Sequence, residues 1–137
     1  MSGPDHAFIY APQLASFDLS HDHPFKPVRL ELTRTLLESA GLLTHAQLVA
    51  PDPLPDEALL EVHDKRFVAA VKAASRGEEV ANAQQFGLGT SDNPIFAGMH
   101  EAVLGVVAAT VTAVDQVALG RSRRAASFAG GLHHALA

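Results

Sequence analysis

The segment AGGLHHALA, residues 129–137, places two adjacent histidines, His133 and His134, just after a pair of glycines. Imidazole titrates near neutral pH, so two such rings can take a proton from water and return it to a leaving group. Neighbouring side chains on an extended strand point to opposite sides, but a bend at the glycines would let both rings flank one small volume. Taken alone, the pair is compatible with either an acid–base site or an ordinary loop.

The other histidines show weaker patterns. His21 and His23, in the segment SHDHP, have a spacing that could bind a metal ion, although polar loops often carry such pairs. His63 precedes a predicted helix and is interpreted as structural. Three further histidines have no partner pattern: His6, His45 and His100.

Three short apolar segments bounded by proline or glycine predict β-strands. They are HAFIYAP at residues 6–12, HAQLVAP at 45–51 and RAASFAG at 124–130. The third strand would deliver the glycines and the two histidines at its carboxyl end.

Helical periodicity fills the intervals between these strands. A helix is predicted from residue 28 to a stop at Gly41, with an apolar stripe made of Val28, Leu32, Leu36 and Ala40. Asp56 is predicted to cap a short helix, and Asp64 a longer one that ends at Gly77. Phe67, Ala70, Val71 and Ala74 are predicted to share one face of that longer helix.

The most apolar element runs from residue 95 to residue 119, where only Glu101 and Asp115 carry a formal charge. Alanine, glycine and threonine dilute this run and the acids interrupt it, so it is predicted to be a buried core helix and not a membrane span. The order strand, helices, strand, helix, strand is typical of a parallel α/β sheet. Ligands of such sheets bind beyond the carboxyl ends of the strands, where the two histidines are expected.

Composition sets the broad class. The chain has 137 residues, a hydrophobic share of 47% and a formal net charge of −5, which is typical of one globular domain and gives no general reason to bind nucleic acid or an anionic membrane. It contains no cysteine, which excludes a thiolate metal site. The first residues lack the pattern of a signal peptide, so a cytoplasmic location is expected.

Four segments, in this order and spacing, carry a family resemblance. They are HPFKPVRLELTRTLLESAGLL, LLEVHDKRFVAAVKAAS, FGLGTSDNPIF and FAGGLHHA. Together they resemble the zinc-dependent histone deacetylase superfamily, and GLGTSDNP resembles its bacterial acetoin-utilisation branch. The resemblance covers almost the whole chain. It implies the amino-terminal part of a three-layer arginase/deacetylase-like α/β fold, a parallel sheet flanked by helices, and hydrolysis of acetyl-lysine amides without NAD.

The resemblance also implies roles for individual residues. His133 and His134 match the catalytic dyad beside the metal-bound water. Asp92 matches the rim acid that binds the backbone of the acetylated substrate. Arg29 matches the arginine of the acetate channel, and Tyr10 is a candidate for the wall of that channel.

The family's zinc ligands follow the double histidine at a distance and do not occur in this chain. The resemblance therefore predicts that residues 1–137 form the truncated amino-terminal part of a single deacetylase catalytic domain and are inactive alone. Stopping a parallel sheet early would leave apolar surface and an open edge, so self-association is expected. Two alternatives stay open: a deacetylase of small acetylated amines such as acetylpolyamines, and a non-catalytic interaction module derived from the fold.

Overall fold

A computed structural model describes residues 5–131, which form a three-stranded parallel sheet packed against helices. The strands are β1 (His6–Ile9), β2 (Leu48–Val49) and β3 (Arg124–Ala126), in the order β2-β1-β3. Phe8 pairs with Leu48 on one side and with Ala126 on the other. The three predicted strands are therefore confirmed, although each is shorter than its apolar segment.

Three α-helices connect and cover the strands. They are α1 (Val28–Ser39), α2 (Lys65–Ser75) and α3 (Met99–Ala118). Short 3₁₀ helices occupy Pro12–Ala15, His45–Gln47, Asp56–Glu61 and Ala83–Phe86. The core lies where Ala7 and Ile9 of β1 pack with Leu30 of α1 and Ala109 of α3.

The predicted ends of α1 and α2 are confirmed by their hydrogen bonds. Asp64 accepts a bond of 2.7 Å from the backbone N–H of Arg66 and so caps α2. Gly77 follows α2 with φ +76°, and Gly41 follows α1 with φ +69°. Glycine suits both positions because a Cβ atom makes the left-handed conformation costly.

Asp56 does not cap its helix, contrary to the prediction. Pro55 occupies the cap position and Asp56 is the first residue of the 3₁₀ helix. Its carboxylate instead contacts Lys72 of α2 and His100 of α3. The capping prediction failed because these two partners lie far along the chain.

The apolar stripe predicted for α1 faces outward. Val28, Leu32 and Leu36 are 50%, 62% and 68% exposed, whereas Leu30 is buried. The side of α1 that faces β1 also carries Arg34, which pairs with Glu31 and Glu38. A polar cluster, and not the leucine stripe, therefore lies on the side of α1 that faces β1.

Helix α3 is buried on one face only. Ala108, Ala109, Thr112 and Gln116 are buried, while valines on the opposite face are exposed, such as Val114. By length and composition α3 could also cross a membrane, a test that core helices of globular proteins pass as well. The prediction of a core helix thus holds for one face of α3 among the residues described.

Candidate active site

An apolar cavity of about 260 Å³ lies between α2, α3 and the segment that follows β3. Its aromatic walls come from loops and from α2: Phe17, Phe25, Phe67 and Phe96. Phe17 and Phe96 stack with their ring centroids 5.8 Å apart. Such a cavity can hold an uncharged, largely aliphatic group, because burial of a charge without a partner is costly.

Gly130 and Gly131 line this cavity at the carboxyl side of β3. This is the edge of a parallel sheet where ligands are expected to bind. His133 and His134 lie outside the described residues, so their placement and roles stay predictions. The segment that leads into them nevertheless borders the cavity.

Asp92 lies exposed in a tight loop beside the cavity. Its neighbour Asn93 lines the cavity and fixes the loop by donating from its side-chain amide to the carbonyl of Gly87 at 2.8 Å. The backbone N–H of Asn93 donates to the hydroxyl of Thr90 at 3.0 Å, and Gly89 N–H donates to the Asn93 carbonyl at 2.9 Å. A free carboxylate on an ordered loop can accept hydrogen bonds from a ligand's backbone, and this role of Asp92 stays a prediction.

His23 is buried and is hydrogen-bonded to the backbone of the Asp92 loop. Its Nδ1 accepts a bond of 3.0 Å from the backbone N–H of Phe25, so the proton of the neutral ring is on Nε2. Nε2 donates to the backbone carbonyl of Asp92 at 3.1 Å. Both ring nitrogens are thus engaged, whereas His21 is exposed and contacts Asp22, so the two histidines do not form the metal pair that their spacing allowed.

Arg29 is exposed, and its guanidinium lies 4.6 Å from the centre of the Phe25 ring. It is not among the described residues that line the cavity, but Phe25, on which it stacks, is one of them. The structure therefore brings Arg29 next to the cavity wall. A role in acetate exit stays a prediction.

Tyr10 belongs to a different environment. Its hydroxyl donates to the carboxylate of Glu31, and the Arg34 guanidinium lies 5.3 Å from the centre of its ring. Burial first, and the Glu31 carboxylate second, raise the pKa of the Tyr10 hydroxyl. Tyr10 is not among the described residues that line the cavity, and its hydroxyl is bound to Glu31 of α1.

Two further histidines line the cavity and were not predicted as site residues. His100 is buried, and its Nε2 lies 2.9 Å from a carboxylate oxygen of Asp56. The ring of His63 packs against Phe67 at 5.3 Å, and its buried Nδ1 has no hydrogen-bond partner within residues 5–131. Their spacing in sequence gave no signal, because the helices that bring them to one cavity are separated by a long loop.

No group of three or more potential metal ligands occurs within residues 5–131. The residues present there do not fit a zinc site.

Comparisons with known proteins bear on these residues. The histone deacetylase domain model matches residues 23–137. The acetoin utilization protein AcuC of Bacillus subtilis is 40% identical over 131 residues, which cover 95% of this chain and 34% of that protein. AcuC of Staphylococcus aureus strain MRSA252 is 34% identical over 130 residues, covering 94% of this chain and 33% of that protein. This chain spans about a third of the length of these curated relatives.

Solved structures show the same fold. An HDAC homologue from Aquifex aeolicus superimposes with a TM-score of 0.78 at 24% identity, covering 96% of this chain and 36% of that chain. A structure of an HDAC homologue complexed with SAHA gives a TM-score of 0.76 with the same identity and coverage. The predicted α/β, deacetylase-like fold is confirmed.

Proposed function

This chain belongs to the histone deacetylase family, and from that premise we propose that the full-length protein is a zinc-dependent hydrolase of acetyl-lysine amides that releases acetate. The observation that carries the proposal is the apolar cavity bordered by Gly130 and Gly131. These glycines lead directly into His133 and His134. The resemblance to the acetoin-utilisation branch supports the same activity, and NAD has no part in it.

Each site residue has a defined task in this proposal. His133 and His134 move protons, the second as general base and the first as its electrostatic or proton-donating partner, a contribution of about 10²–10⁴-fold in rate. The Asp92 carboxylate accepts N–H groups of the substrate backbone. Arg29, stacked on Phe25, guides the acetate anion away, and Tyr10 is the least supported channel residue because it is engaged with Glu31.

The apolar walls of the cavity favour an acylated amine. Once acetylated, a lysine side chain is uncharged, whereas the free ammonium would have to be buried without a partner, which is costly. This preference explains binding of substrate and departure of the charged product. It does not separate acetyl-lysine in proteins from a small acetylated amine, which is the second candidate substrate.

The zinc dependence in this proposal is supported by membership of the family alone. Residues 5–131 offer no group of three or more potential ligands, so the zinc ligands would have to lie outside them. We accordingly propose that residues 1–137 alone have negligible activity, even with added zinc. Cytoplasm remains the proposed location.

The test is an assay of the full-length, zinc-loaded protein on an acetyl-lysine peptide and on an acetylpolyamine. We expect hydrolysis of the peptide that a hydroxamate blocks. Hydrolysis of the acetylpolyamine but not of the peptide would show that the substrate is a small acetylated amine and not acetyl-lysine in proteins. Failure on both substrates would refute the proposed activity.

Two variants sharpen this assay. Asp92→Asn is expected to lower kcat/KM by about 10-fold or more, since a hydrogen bond to a charged group contributes about 1.5–3 kcal/mol. Asp22→Asn removes an exposed carboxylate that contacts His21 and does not line the cavity, and it is the matched control. An equal decrease of kcat/KM in the two variants would show that Asp92 does not bind the substrate.

A further inference from the structure

We propose that His23 is a positioning residue that presets the Asp92 loop for substrate. His23 is only 7% exposed, and its imidazole joins two segments that are 69 residues apart in the chain. Both of its contacts are to backbone atoms, so they fix main-chain positions whatever the neighbouring side chains do. The kinetic part of this inference rests on the proposed function, whereas the structural part does not.

The first contact sets the tautomer. A backbone N–H can only donate, so the 3.0 Å bond from Phe25 makes Nδ1 an acceptor and leaves the proton on Nε2. Nε2 can then donate to the Asp92 carbonyl at 3.1 Å. The hydrogen bond from Phe25 thus fixes the tautomer in which the His23 ring can donate to the Asp92 loop.

The second contact, from Nε2 to the Asp92 carbonyl, anchors a loop whose other hydrogen bonds are all local. The bonds made by Asn93 and Gly89 all lie within residues 87–93, and they shape the loop without fixing where it sits. The bond from His23 ties this loop to the segment that carries Phe25, a wall of the cavity. Asp92 is thereby held at a fixed place relative to the cavity.

The same imidazole links the two candidate site residues that the structure brings near the cavity. Arg29 stacks on the ring of Phe25, and the backbone carbonyl of Asp92 accepts a hydrogen bond from Nε2. A loop held in advance costs less ordering free energy when substrate binds. Loss of the bond should therefore weaken substrate binding more than it slows the chemical step.

The test separates the two ring nitrogens. The side-chain oxygen of asparagine can take the place of Nδ1, and the amide nitrogen of glutamine can take the place of Nε2. His23→Gln keeps a donor for the Asp92 carbonyl, whereas His23→Asn keeps only the acceptor for Phe25. His21→Gln, at an exposed histidine of the same loop, is the control.

In the full-length enzyme, we expect His23→Asn to raise KM about three- to tenfold with little change in kcat, as for the loss of one hydrogen bond. His23→Gln is expected to stay near the parent value. In an Asp92→Asn background the effect of His23→Asn should vanish, because the preset group is then absent. Equal KM values for the Gln and Asn variants, or an undiminished effect without the Asp92 carboxylate, would overturn the inference.

A readout independent of activity is amide hydrogen exchange of residues 86–96. We expect faster exchange in His23→Asn than in His23→Gln, with β1 equally protected in both, which also checks that both variants fold. Equal exchange of the loop in both variants would overturn the positioning role. If the exchange differs as expected but the parent enzyme turns over no substrate, the proposed function fails while the positioning of the loop stands.

Discussion

The hydroxyl of Thr112 accepts a hydrogen bond of 2.8 Å from the backbone N–H of Asp52. Thr112 is 1% exposed in the middle of α3, and Asp52 follows β2 after a short extended segment. The bond ties the end of the edge strand to the central helix. It also satisfies a backbone donor that no other described contact serves.

Thr112→Val keeps the shape of the side chain and removes this acceptor. We expect the free energy of unfolding to fall by about 1–3 kcal/mol, because the Asp52 N–H loses its partner. Thr110→Val is the control, since that hydroxyl is exposed and bonds only to the Val106 carbonyl of its own helix. Its effect should stay within about 0.5 kcal/mol. Denaturant-induced unfolding measures both, and equal losses would show that the Asp52 bond contributes little.

Two glycines are expected to respond in opposite directions to alanine. Gly77 has φ +76°, so Gly77→Ala should destabilise the protein by about 1–2 kcal/mol. Gly105 lies inside α3, where a new Cβ would make an ordinary contact of 3.6 Å with Leu14, so Gly105→Ala should stabilise by about 0.5–1 kcal/mol. Thermal or denaturant unfolding tests the pair. A loss of stability in Gly105→Ala would mean that α3 and Leu14 pack more tightly than this contact indicates.

Asp56 should make the stability depend on pH in the acid range. The Lys72 ammonium first, and the His100 imidazole second, lower the pKa of the Asp56 carboxyl from its ordinary value of 3.8. Because the pKa is lower in the folded state, the ionised carboxylate stabilises the fold above pH 3.8, and this contribution is lost as pH falls through the lower folded value.

Asp56→Asn is therefore expected to flatten the pH dependence of the unfolding free energy between pH 3.8 and the lower pKa of the folded state. Unfolding curves recorded from neutral to acid pH measure the slope. Asp22→Asn, at an exposed carboxylate that contacts His21, controls for the loss of one negative charge. The same slope in the parent and in Asp56→Asn would contradict the role of the Lys72–Asp56–His100 contacts.

Local signals predicted the parts of the fold that depend on neighbouring residues. The Asp64 cap, the glycine ends of α1 and α2, and the shared face of Ala70 and Ala74, which are both buried, were predicted correctly, because each depends on residues within a turn or two. The outward orientation of the apolar stripe of α1 was not predicted. The periodicity of apolar residues shows that a helix has two different faces, but it does not show which face packs against the sheet.

Contacts between distant segments explain what was missed at the site. The spacing of His21 and His23 was compatible with either a metal site or an ordinary polar loop, and the bond of His23 to the Asp92 carbonyl cannot be inferred from spacing. His63 and His100 share a cavity only because α2 packs against α3. Asp92 and Arg29 were identified as candidate site residues by the family resemblance alone. Their positions in the sequence gave no physical signal that they lie near one cavity.

The exposed stripe of α1 predicts association of the chain with itself. Val28, Leu32 and Leu36 follow one another on the same side of the helix and are half to two-thirds exposed. A contiguous apolar surface of this kind is costly in water and tends to be covered by another surface. Within residues 5–131, β2 and β3 form the two edges of the sheet, and an edge strand can pair with another chain.

We therefore expect residues 1–137 to sediment as a concentration-dependent oligomer. The double substitution Leu32→Gln with Leu36→Gln should shift the chain toward monomer, because it makes the stripe polar without touching the buried Leu30. Val62→Gln removes an even more exposed apolar side chain from another segment and should leave the association unchanged. Sedimentation velocity over a dilution series measures all three proteins. A parent chain that stays monomeric at every concentration, or a Val62→Gln variant that dissociates as readily as the double variant, would show that the α1 stripe does not drive association.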